Sequence, residues 1–377
     1  MRKPRILVTG ATGKTGSLVV AELLKAGYPV RAMVHKEDGR SARLKAQGAE
    51  IAVADMSDVE RVAEALTDVQ GAYYCPPFVP HMIQGGVAFA VAAKQSRLEH
   101  IVGLTQWLSS PSHPALMTRQ HWLVDRLLSM TPGVAHTIVR PGFFADSYLL
   151  LSGLAAHLGV FPWIYGDSRN APPSNEDIAR VAVAALMDPA RHAGKSYRPT
   201  GPKLLGAKDM AAAIGRAVRR SVTVVPTPTW LFMKTARLSG IPINLINGLR
   251  YYIDDHRRGA FELGAPTADV LDVTGQPAED FETIARRYAA LPRNQPTLGS
   301  YIREFAQFLI APLSPSFNLD RYDRELRSPI PSEPQFATES KTWRREHAIT
   351  GGERSAQSAL PTHAAGLASR AGAKISP

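Results

Sequence analysis

Cysteine is almost absent from this sequence, because Cys75 is the single thiol among 377 residues. One cysteine excludes a disulfide framework, and it also excludes zinc or iron–sulfur sites built from clustered thiols. No helix start and no group of cations lies near Cys75 in the sequence, so its thiol is expected to be buried and inert. The sequence therefore indicates neither a disulfide-stabilised protein nor a metalloprotein, and no metal is expected.

Long apolar runs are missing as well. After residues 1–5, three of which are basic, only three apolar residues precede Thr9, which is too few for the apolar core of a signal peptide. No stretch reaches the roughly 20 apolar residues of a transmembrane helix, and there is no Asn-x-Ser/Thr acceptor for glycosylation. These absences favour a cytoplasmic protein in a reducing compartment, without membrane association.

A concentrated basic patch is the third absence. The formal net charge is +11, yet the basic residues cluster no further than pairs such as Arg219-Arg220 and Arg257-Arg258. No helix-turn-helix, zinc-finger or RNA-recognition pattern accompanies them, so a nucleic-acid partner is not expected. The composition, with 45% apolar and 20% charged residues, is typical of a globular protein. Its dispersed positive charge suits a small phosphorylated ligand.

What the sequence does contain is a regular alternation of strand-like and helical segments over its first 145 residues. Six short apolar runs separated by helical stretches are predicted strands, at residues 5–9, 30–34, 49–54, 71–75, 100–105 and 135–140. This spacing is typical of the Rossmann fold, a doubly wound parallel sheet with helices on both faces. We therefore predict an α/β protein of this class.

The most informative motif is a glycine-rich turn between the first predicted strand and the first predicted helix. Gly10, Gly13 and Gly16 have the spacing at which the first glycine permits a tight turn, the second admits a pyrophosphate and the third allows close helix–sheet packing. A nucleoside-triphosphatase phosphate loop is excluded, because Val8 stands where that motif needs a glycine. The free N–H groups of the helix N-terminus would meet the phosphates. The predicted cofactor-binding residues of this turn are Gly10, Ala11, Thr12, Gly13, Lys14, Thr15 and Gly16.

The residues after the second and third predicted strands indicate which dinucleotide binds. NAD usually requires a carboxylate at the end of the second strand, but this sequence has His35-Lys36 there, with Arg40 close behind. A cationic rim suits the 2′-phosphate of NADP, so NADP (NADPH) is predicted rather than NAD. At the end of the third strand, Asp55 either accepts from the adenine amino group or caps the next helix, and Met56 stands beside it.

Three regions follow from these patterns. Residues 1–145 are predicted to form the NAD(P)-binding Rossmann core, and residues 146–292 a smaller C-terminal substrate-side lobe integrated with it. Residues 293–377 are predicted to contain one amphipathic helix at 300–311 and then a flexible tail. We expect disorder beyond about residue 330, because its Pro-, Ser-, Ala- and Gly-rich composition buries too little apolar surface to offset the ordering entropy.

The sequence resembles the NmrA-like group of the atypical short-chain dehydrogenase/reductase superfamily. The matching segments are residues 10–16, 30–32, 54–55, 137–144, 177–179, 194–197 and 200–202. The resemblance covers about residues 1–290. The whole superfamily shares the glycine motif, whereas its combination with residues 140–144 and 200–202 is more specific. This group includes NAD(P)H:quinone oxidoreductases and NADP-binding redox-sensing regulators, so the resemblance implies one of these two functions.

The sequence departs from the superfamily at the catalytic pair. Catalytic members carry Tyr-x-x-x-Lys, in which Tyr is the acid and Lys lowers its pKa. Alignment on Asp125 places Met117 at the Tyr position and His121 at the Lys position. The quinone reductases of the group similarly have histidine there, so the resemblance favours them. It also makes His121 and Thr105, at the end of the fifth strand, the candidate catalytic residues.

Quinone reduction is chemically compatible with the loss of that pair. Hydride transfer to a quinone gives a hydroquinone anion of low basicity, so direct transfer from the nicotinamide needs little acid catalysis. The resemblance places Pro76 at the wall of the nicotinamide site. Phe143 and Phe144 are predicted to line an apolar substrate pocket. Three further aromatic residues are either pocket lining or core: Phe161, Trp163 and Tyr165.

Two functions are therefore compatible with the sequence. The first is an NADP-dependent oxidoreductase that acts on a quinone-like or other conjugated small molecule. The alternative is a non-catalytic, NADP(H)-sensing protein of the NmrA type that regulates a partner, since the loss of Tyr and Lys suits both. The expected partners are a small-molecule substrate and, in addition, a second copy of the chain or a regulated protein.

Overall fold

The computed structural model describes residues 3–295 and 297–348. Its strands are β1 (Ile6–Val8), β2 (Val30–Val34), β3 (Glu50–Val53), β4 (Gly71–Tyr74), β5 (His100–Leu104), β6 (Ala135–Val139), β7 (Val160–Trp163), β8 (Ser196–Tyr197) and β9 (Thr223–Pro226). Seven of them form a parallel sheet in the order β3-β2-β1-β4-β5-β6-β8, and β7 pairs with β9. The predicted Rossmann-type sheet is confirmed. Its seventh strand, β8, was not predicted from the sequence.

Helices cover both faces of this sheet. They are α1 (Lys14–Lys25), α2 (Gly39–Ala46), α3 (Val59–Ala65), α4 (Met82–Gln95), α5 (Leu116–Ser129), α6 (Ala145–Tyr148), α7 (Ser152–Leu158), α8 (Asn175–Met187), α9 (Pro189–His192), α10 (Ala207–Val218), α11 (Thr229–Leu238), α12 (Ile243–Arg257), α13 (Asp269–Thr274), α14 (Phe281–Ala289), α15 (Leu298–Ile310), α16 (Leu319–Glu325) and α17 (Lys341–Ala348). Helices α1 and α8 bury one face, and α3, α4 and α5 bury the other. The inner strands β1 and β4 read as continuous apolar runs because both of their faces are buried.

The segment after β6 contributes to the sheet as well as to a lobe. Helix α8 packs beside α1, and β8 pairs with β6, so the sheet layer continues to residue 197. The lobe has its own core, in which apolar side chains from α10, α11, α12 and α14 surround an aromatic cluster. This core lies beyond the carboxyl ends of β5 and β6, where it can close a site at that edge of the sheet.

The expectation of disorder from about residue 330 is wrong for residues 331–348. A short turn of 3-10 helix (Ala337–Glu339) and α17 pack on the lobe. Trp343 is fully buried, and its Nε1 donates to the carbonyl oxygen of Trp107 at 2.7 Å. One large aromatic ring supplies the apolar burial that the average composition of this segment conceals. The remaining residues of the expected tail, 349–377, lie outside the described residues.

Two kinds of feature are absent from the described residues. No helix in the ranges 3–295 and 297–348 is long and apolar enough to cross a membrane. Within the same ranges, no group of three or more His, Cys, Asp or Glu side chains is arranged to hold a metal ion.

Candidate functional site

The glycine-rich turn joins β1 to α1 through three glycines, of which Gly10 and Gly16 admit no side chain without strain. Gly10 has φ of +58°, in the left-handed region where a side chain is strained. A Cβ on Gly16 would lie 2.2 Å from the carbonyl oxygen of Gly10, and a Cβ on Gly13 would lie 3.1 Å from the same atom. The helix can approach the turn this closely only because these side chains are missing.

The N-terminus of α1 is open toward a ligand. Gly13 is its N-cap residue and, as a glycine, it has no side chain to accept a hydrogen bond from the first turn. Uncapped N–H groups at the positive end of a helix dipole suit an anion. Lys14 is exposed and forms an ion pair with the buried carboxylate of Asp146 in α6. Within the turn, Ala11 and Thr15 are buried and Thr12 is half-buried.

His35 and Asp55 face each other at the ends of β2 and β3. His35 Nδ1 and Asp55 Oδ2 are 3.5 Å apart, and both side chains are largely exposed. Ser57 donates to Asp55 Oδ1 from its hydroxyl and its backbone N–H at 2.6 and 2.8 Å, which lowers the pKa of the Asp55 carboxyl. Asp58, rather than Asp55, caps α3. The helix-cap alternative for Asp55 is therefore wrong, and its second carboxylate oxygen faces His35.

The cations behind β2 have different surroundings. Lys36 is exposed. Arg40 is held by Asp38, whose Oδ2 lies 2.7 Å from Arg40 Nη2. This interaction and the backbone N–H of Arg40 lower the pKa of Asp38 to about 2. Asp38 also caps α2 through Ser41. The charge of Arg40 is therefore matched locally, and Asp38 is a candidate rim residue that the sequence interpretation missed, although Asp-x-x-Ser was a visible capping pattern.

Met56 follows Asp55 at the carboxyl end of β3. It is half-buried against α4, where Gly85 provides the space for it. A Cβ on Gly85 would lie 2.8 Å from Met56 Cγ. The position of Met56 therefore depends on a glycine 29 positions later in the chain, a contact that only the tertiary structure shows.

A cavity of about 440 Å³ lies between the carboxyl ends of β4, β5 and β6 and the lobe. Its volume is within the range of small-molecule sites, and this edge of a doubly wound sheet is where such folds bind ligands. Six of the residues predicted from the sequence line it: Thr15, Pro76, Thr105, His121, Phe143 and Phe144. The structure thus brings the end of the glycine-rich turn, the two candidate catalytic residues and the two predicted pocket aromatics into one space.

Thr105 and His121 are the polar pair of this cavity. Thr105 Oγ1 and His121 Nδ1 are 3.5 Å apart, and both side chains are buried. Burial lowers the pKa of His121 to about 3. The imidazole is therefore neutral near physiological pH, with one nitrogen that donates and one that accepts. It can hold a polar group of a ligand, but it carries no positive charge.

Asp125 lies one helical turn beyond His121, beneath the cavity. Burial raises the pKa of its carboxyl to about 6, although Arg140 and Thr105 act in the opposite direction. Arg140 Nη2 lies 3.6 Å from Asp125 Oδ2. Arg140 also forms an ion pair with Glu346 of α17, and Arg126 binds the same carboxylate. The candidate site thus rests on a cluster of two arginines and two carboxylates, in which Asp125 and Arg140 are buried and Arg126 and Glu346 of the C-terminal helix are half-buried.

Sequence reasoning missed several cavity residues, and two groups of them shape the site. Gln106 lines the cavity, and its amide nitrogen and oxygen are buried without a hydrogen-bond partner among the described residues. The second group lies on α12 and the turn before it: Ile241, Leu245, Gly248, Leu249 and Tyr252. The spacing of 245, 248, 249 and 252 places those four residues on one helical face, which was the available signal.

Two expectations about individual side chains are decided by the structure. Phe161, Trp163 and Tyr165 do not line the cavity. They are core residues of the lobe, because β7 and the turn after it direct them into the aromatic cluster, where Tyr165 stacks on His256 with centroids 4.2 Å apart. Cys75 is half-buried at the cavity wall, and burial raises the pKa of its thiol to about 11, so the thiol stays protonated.

These features define a Rossmann-type α/β protein in which a glycine-rich turn meets an apolar cavity at the carboxyl edge of the sheet. Residues 2–118 match the model of the NmrA-like family. The chain is 31% identical over 292 residues to the NAD(P)H azoreductase of Xenophilus azovorans, a match that covers 76% of this chain and 98% of the relative. The chain belongs to the NmrA-like family.

Further relatives extend this comparison. Quinone oxidoreductase 2 of Escherichia coli (strain K12) is 24% identical over 246 residues, covering 65% of this chain and 85% of the relative. The solved NADPH complex of an NADPH-dependent quinone oxidoreductase from E. coli matches with a TM-score of 0.66 at 23% identity, covering 75% of this chain and 99% of that one. NmrA, a negative transcriptional regulator solved with NADP, matches with a TM-score of 0.63 at 18% identity, covering 76% and 95%. At these identities the two structures establish the fold alone.

Proposed function

We propose that this protein is an NADP-dependent oxidoreductase that transfers hydride directly from the nicotinamide to a quinone-like or other conjugated small molecule. The observation that carries the proposal is the continuity of the glycine-rich turn with the apolar cavity, because Thr15 lines the same space as Thr105 and His121. Two relatives support the proposal, because one is an NAD(P)H azoreductase and the other a quinone oxidoreductase.

The residues of the site fit a dinucleotide. When bound, NADPH supplies the hydride. The missing side chain of the exposed Gly13 leaves the backbone accessible beside the start of α1, where a pyrophosphate would be held. The missing side chain of the buried Gly16 lets the helix pack close enough to the turn to present its N-terminus there. Asp55 would accept from the adenine amino group, and Met56 would pack beneath that end. Pro76 would form the wall next to the nicotinamide.

The cavity offers a substrate mainly apolar surface and few hydrogen bonds. Phe143 and Phe144 from the loop after β6, together with Tyr252 of α12, provide faces on which a planar ring can stack. Thr105 and neutral His121 would orient an oxygen or nitrogen of the substrate and hold or pass on a proton at that atom. Because a reduced quinone is weakly basic, this pair would suffice without the Tyr–Lys pair of the wider superfamily.

The direct test is turnover. Purified protein mixed with NADPH and a naphthoquinone is expected to consume reduced nicotinamide faster than the uncatalysed reaction, followed by absorbance. The substrate panel should contain benzoquinones, naphthoquinones and azo dyes, because the relatives differ in these classes. Rates that match the uncatalysed background for every compound would contradict the oxidoreductase proposal.

Neutralising the rim after β2 is expected to distinguish the cofactors. The double change His35→Ala with Lys36→Ala removes the exposed imidazole and ammonium groups of the rim while leaving Arg40, which is paired with Asp38, in place. We expect the Kd for NADPH to rise about 10-fold with little change for NADH, because only NADPH has a 2′-phosphate to lose a charge-assisted contact. Fluorescence titration measures both. The exposed Lys45→Ala on α2 is the matched control, and equal losses for the two cofactors would discard the assignment.

Replacing His121 is expected to affect chemistry rather than cofactor binding. His121→Asn should lower kcat about 10- to 100-fold with an unchanged Kd for NADPH, because the imidazole meets the substrate and not the dinucleotide phosphates. Since burial lowers the pKa of His121 to about 3, the wild-type rate should show no ionisation of this group near neutrality. His100→Asn is the control, a buried histidine at the other end of β5 that does not line the cavity. A kcat equal to wild type in His121→Asn would remove this residue from the mechanism.

The alternative proposal is an NADP(H)-sensing protein without turnover. The absence of the Tyr–Lys pair favours it as much as the enzyme, and NmrA itself, which shares the fold, is described as a negative transcriptional regulator. Binding of NADPH without turnover of any quinone or azo dye would favour the sensor. The protein that it regulates would then be sought among those whose affinity differs between the NADP+ and NADPH forms.

A further inference from the structure

Helix α12 forms the outer wall of the cavity and is held from behind by the C-terminal part of the chain. Its inner face carries Leu245, Gly248, Leu249 and Tyr252 into the cavity lining. At its N-terminal end, Asn244 Nδ2 donates to the carbonyl oxygen of Phe78 at 2.6 Å, which joins α12 to the opposite wall. The position of this one helix therefore sets the width of the cavity.

The outer face of α12 is bound by α16. Asp323 accepts from Asn247 Nδ2 at 2.6 Å and from the Tyr251 hydroxyl at 2.8 Å, and it also pairs with Arg250. Arg250 Nη1 lies 2.7 Å from Asp320 Oδ1 as well. Residues 247, 250 and 251 lie on the side of the helix opposite to the cavity-lining residues, so these contacts press on α12 without entering the cavity.

The C-terminal end of α12 is bound by residues 336–339. Asp255, fully buried, accepts from the backbone N–H of Ala337 at 2.9 Å and pairs with His113 at 2.6 Å. Arg258 meets Glu339 at 2.7 Å and lies over the ring of Phe336. Both ends of α12 and its outer face are therefore anchored, and two of these anchors lie in the segment 319–348.

The same segment also reaches the cavity lining directly. Trp343 Nε1 donates to the carbonyl oxygen of Trp107, which itself lines the cavity. The azoreductase relative is matched over 98% of its length by 76% of this chain, so about a quarter of this chain has no counterpart there. Because the sequence resemblance ends near residue 290, the segment 319–348 falls in the part that the resemblance leaves out.

We propose that residues 319–348, here called the C-terminal strap, are specificity-determining: by holding α12 against the cavity they limit the size of the aromatic substrate that the site accepts. This inference rests on the proposed reductase function for its substrate class. Residues of the strap act as positioning residues, because they touch α12 and Trp107 rather than the reacting atoms. Loosening the strap should therefore admit larger planar substrates while leaving the dinucleotide end of the site unchanged.

The test loosens one anchor at the surface. Asp323→Ala removes three contacts to α12 at a half-exposed position, so the full-length chain should still fold. Glu282→Ala is the matched control, since it breaks the bridges of one carboxylate to Arg216 and Arg286 away from the cavity. The rate of hydrogen exchange in the α12 backbone measures how firmly the strap holds this helix. The kcat/KM ratio for a three-ring over a one-ring quinone reports selectivity.

The expected result has two parts. Exchange in residues 243–257 should become about 10-fold faster in Asp323→Ala alone. The three-ring to one-ring ratio should rise by about 5-fold, mainly through KM, while the KM for NADPH stays within about 2-fold of wild type. If the strap only stabilises the protein, Asp323→Ala would lower kcat/KM equally for both quinones and leave their ratio unchanged.

Other outcomes overturn the inference in distinguishable ways. Unchanged exchange in α12 would show that the strap does not hold the helix. Faster exchange with an unchanged substrate ratio would show that α12 does not control substrate size. If wild-type protein reduces no quinone at all, the proposed function fails while the exchange result still stands. Selectivity is then measured as the ratio of the Kd values for the two quinones, by quenching of tryptophan fluorescence. If this ratio is the same in Asp323→Ala as in wild type, the strap does not limit substrate size.

Discussion

Gly16→Ala is expected to weaken NADPH binding by about 100-fold, a loss of about 2.7 kcal/mol. The new Cβ would lie 2.2 Å from the carbonyl oxygen and 2.8 Å from the carbonyl carbon of Gly10. Both atoms belong to the backbone, so the conflict is relieved only by moving α1 away from the turn that would hold the pyrophosphate. Overpacking at this junction should also cost about 1–3 kcal/mol of unfolding free energy. Fluorescence titration with NADPH and urea denaturation measure the two effects.

Gly299→Ala is the natural control for this change. Like Gly16, Gly299 lies in the first turn of a helix, but nothing among the described residues lies within 4 Å of the place where its Cβ would be. It should leave the Kd for NADPH unchanged and should stabilise α15 slightly, because alanine has the higher helix propensity. If Gly16→Ala binds NADPH as well as Gly299→Ala does, the glycine-rich turn is not the phosphate site.

Trp343→Ala is expected to destabilise the protein by about 3–5 kcal/mol, the range for removing a large buried aromatic side chain. The ring is fully buried, stacks on His347 with centroids 3.9 Å apart and donates to Trp107. Loosening of α17 would also withdraw Glu346 from Arg126 and Arg140. Arg140 would then retain Asp125 as its acidic partner among these residues. The free energy of unfolding from urea titration is the measurement.

The matched control is Trp230→Ala. This indole is 54% exposed on α11, and its ring lies beneath the ammonium of Lys234 at 5.3 Å. Removing it should change the unfolding free energy by no more than about 0.5 kcal/mol. A Trp343→Ala protein as stable as this control would mean that residues 331–348 do not pack on the lobe in solution, which would also remove the basis of the C-terminal strap.

The glycine-rich turn and the strands of the core could be predicted because their causes are local. A glycine is needed at position 10 because its φ is positive. A second is needed at position 16 because the first turn of α1 packs directly against the backbone of Gly10. Strands buried on both faces leave a continuous apolar run in the sequence. The two-residue strand β8 left no such run, so it went unrecognised although it completes the sheet.

The packing of the C-terminal segment could not be predicted from the sequence, for the opposite reason. Its composition, averaged over many residues, contains too little apolar surface to predict a packed structure. The buried ring of Trp343 and the buried acceptor Asp255, which lies 82 positions before its donor Ala337, decide the matter. No periodicity within the segment could have shown that Trp343 packs on the lobe or that Ala337 donates to Asp255.

The sequence by itself determined the fold class, the family, the glycine-rich turn and the absence of the Tyr–Lys pair, because each depends on residue types at short fixed spacings. Only the tertiary structure decided which side chains share a cavity. In the structure Thr105 lies beside His121, and Arg40 is paired with Asp38. Trp163 and Tyr165 lie in the core of the lobe. Helix α12 forms a wall of the cavity and is bound from behind by the C-terminal strap. Such contacts link residues far apart in the chain. They arise from the packing of whole elements, which no short window of sequence contains.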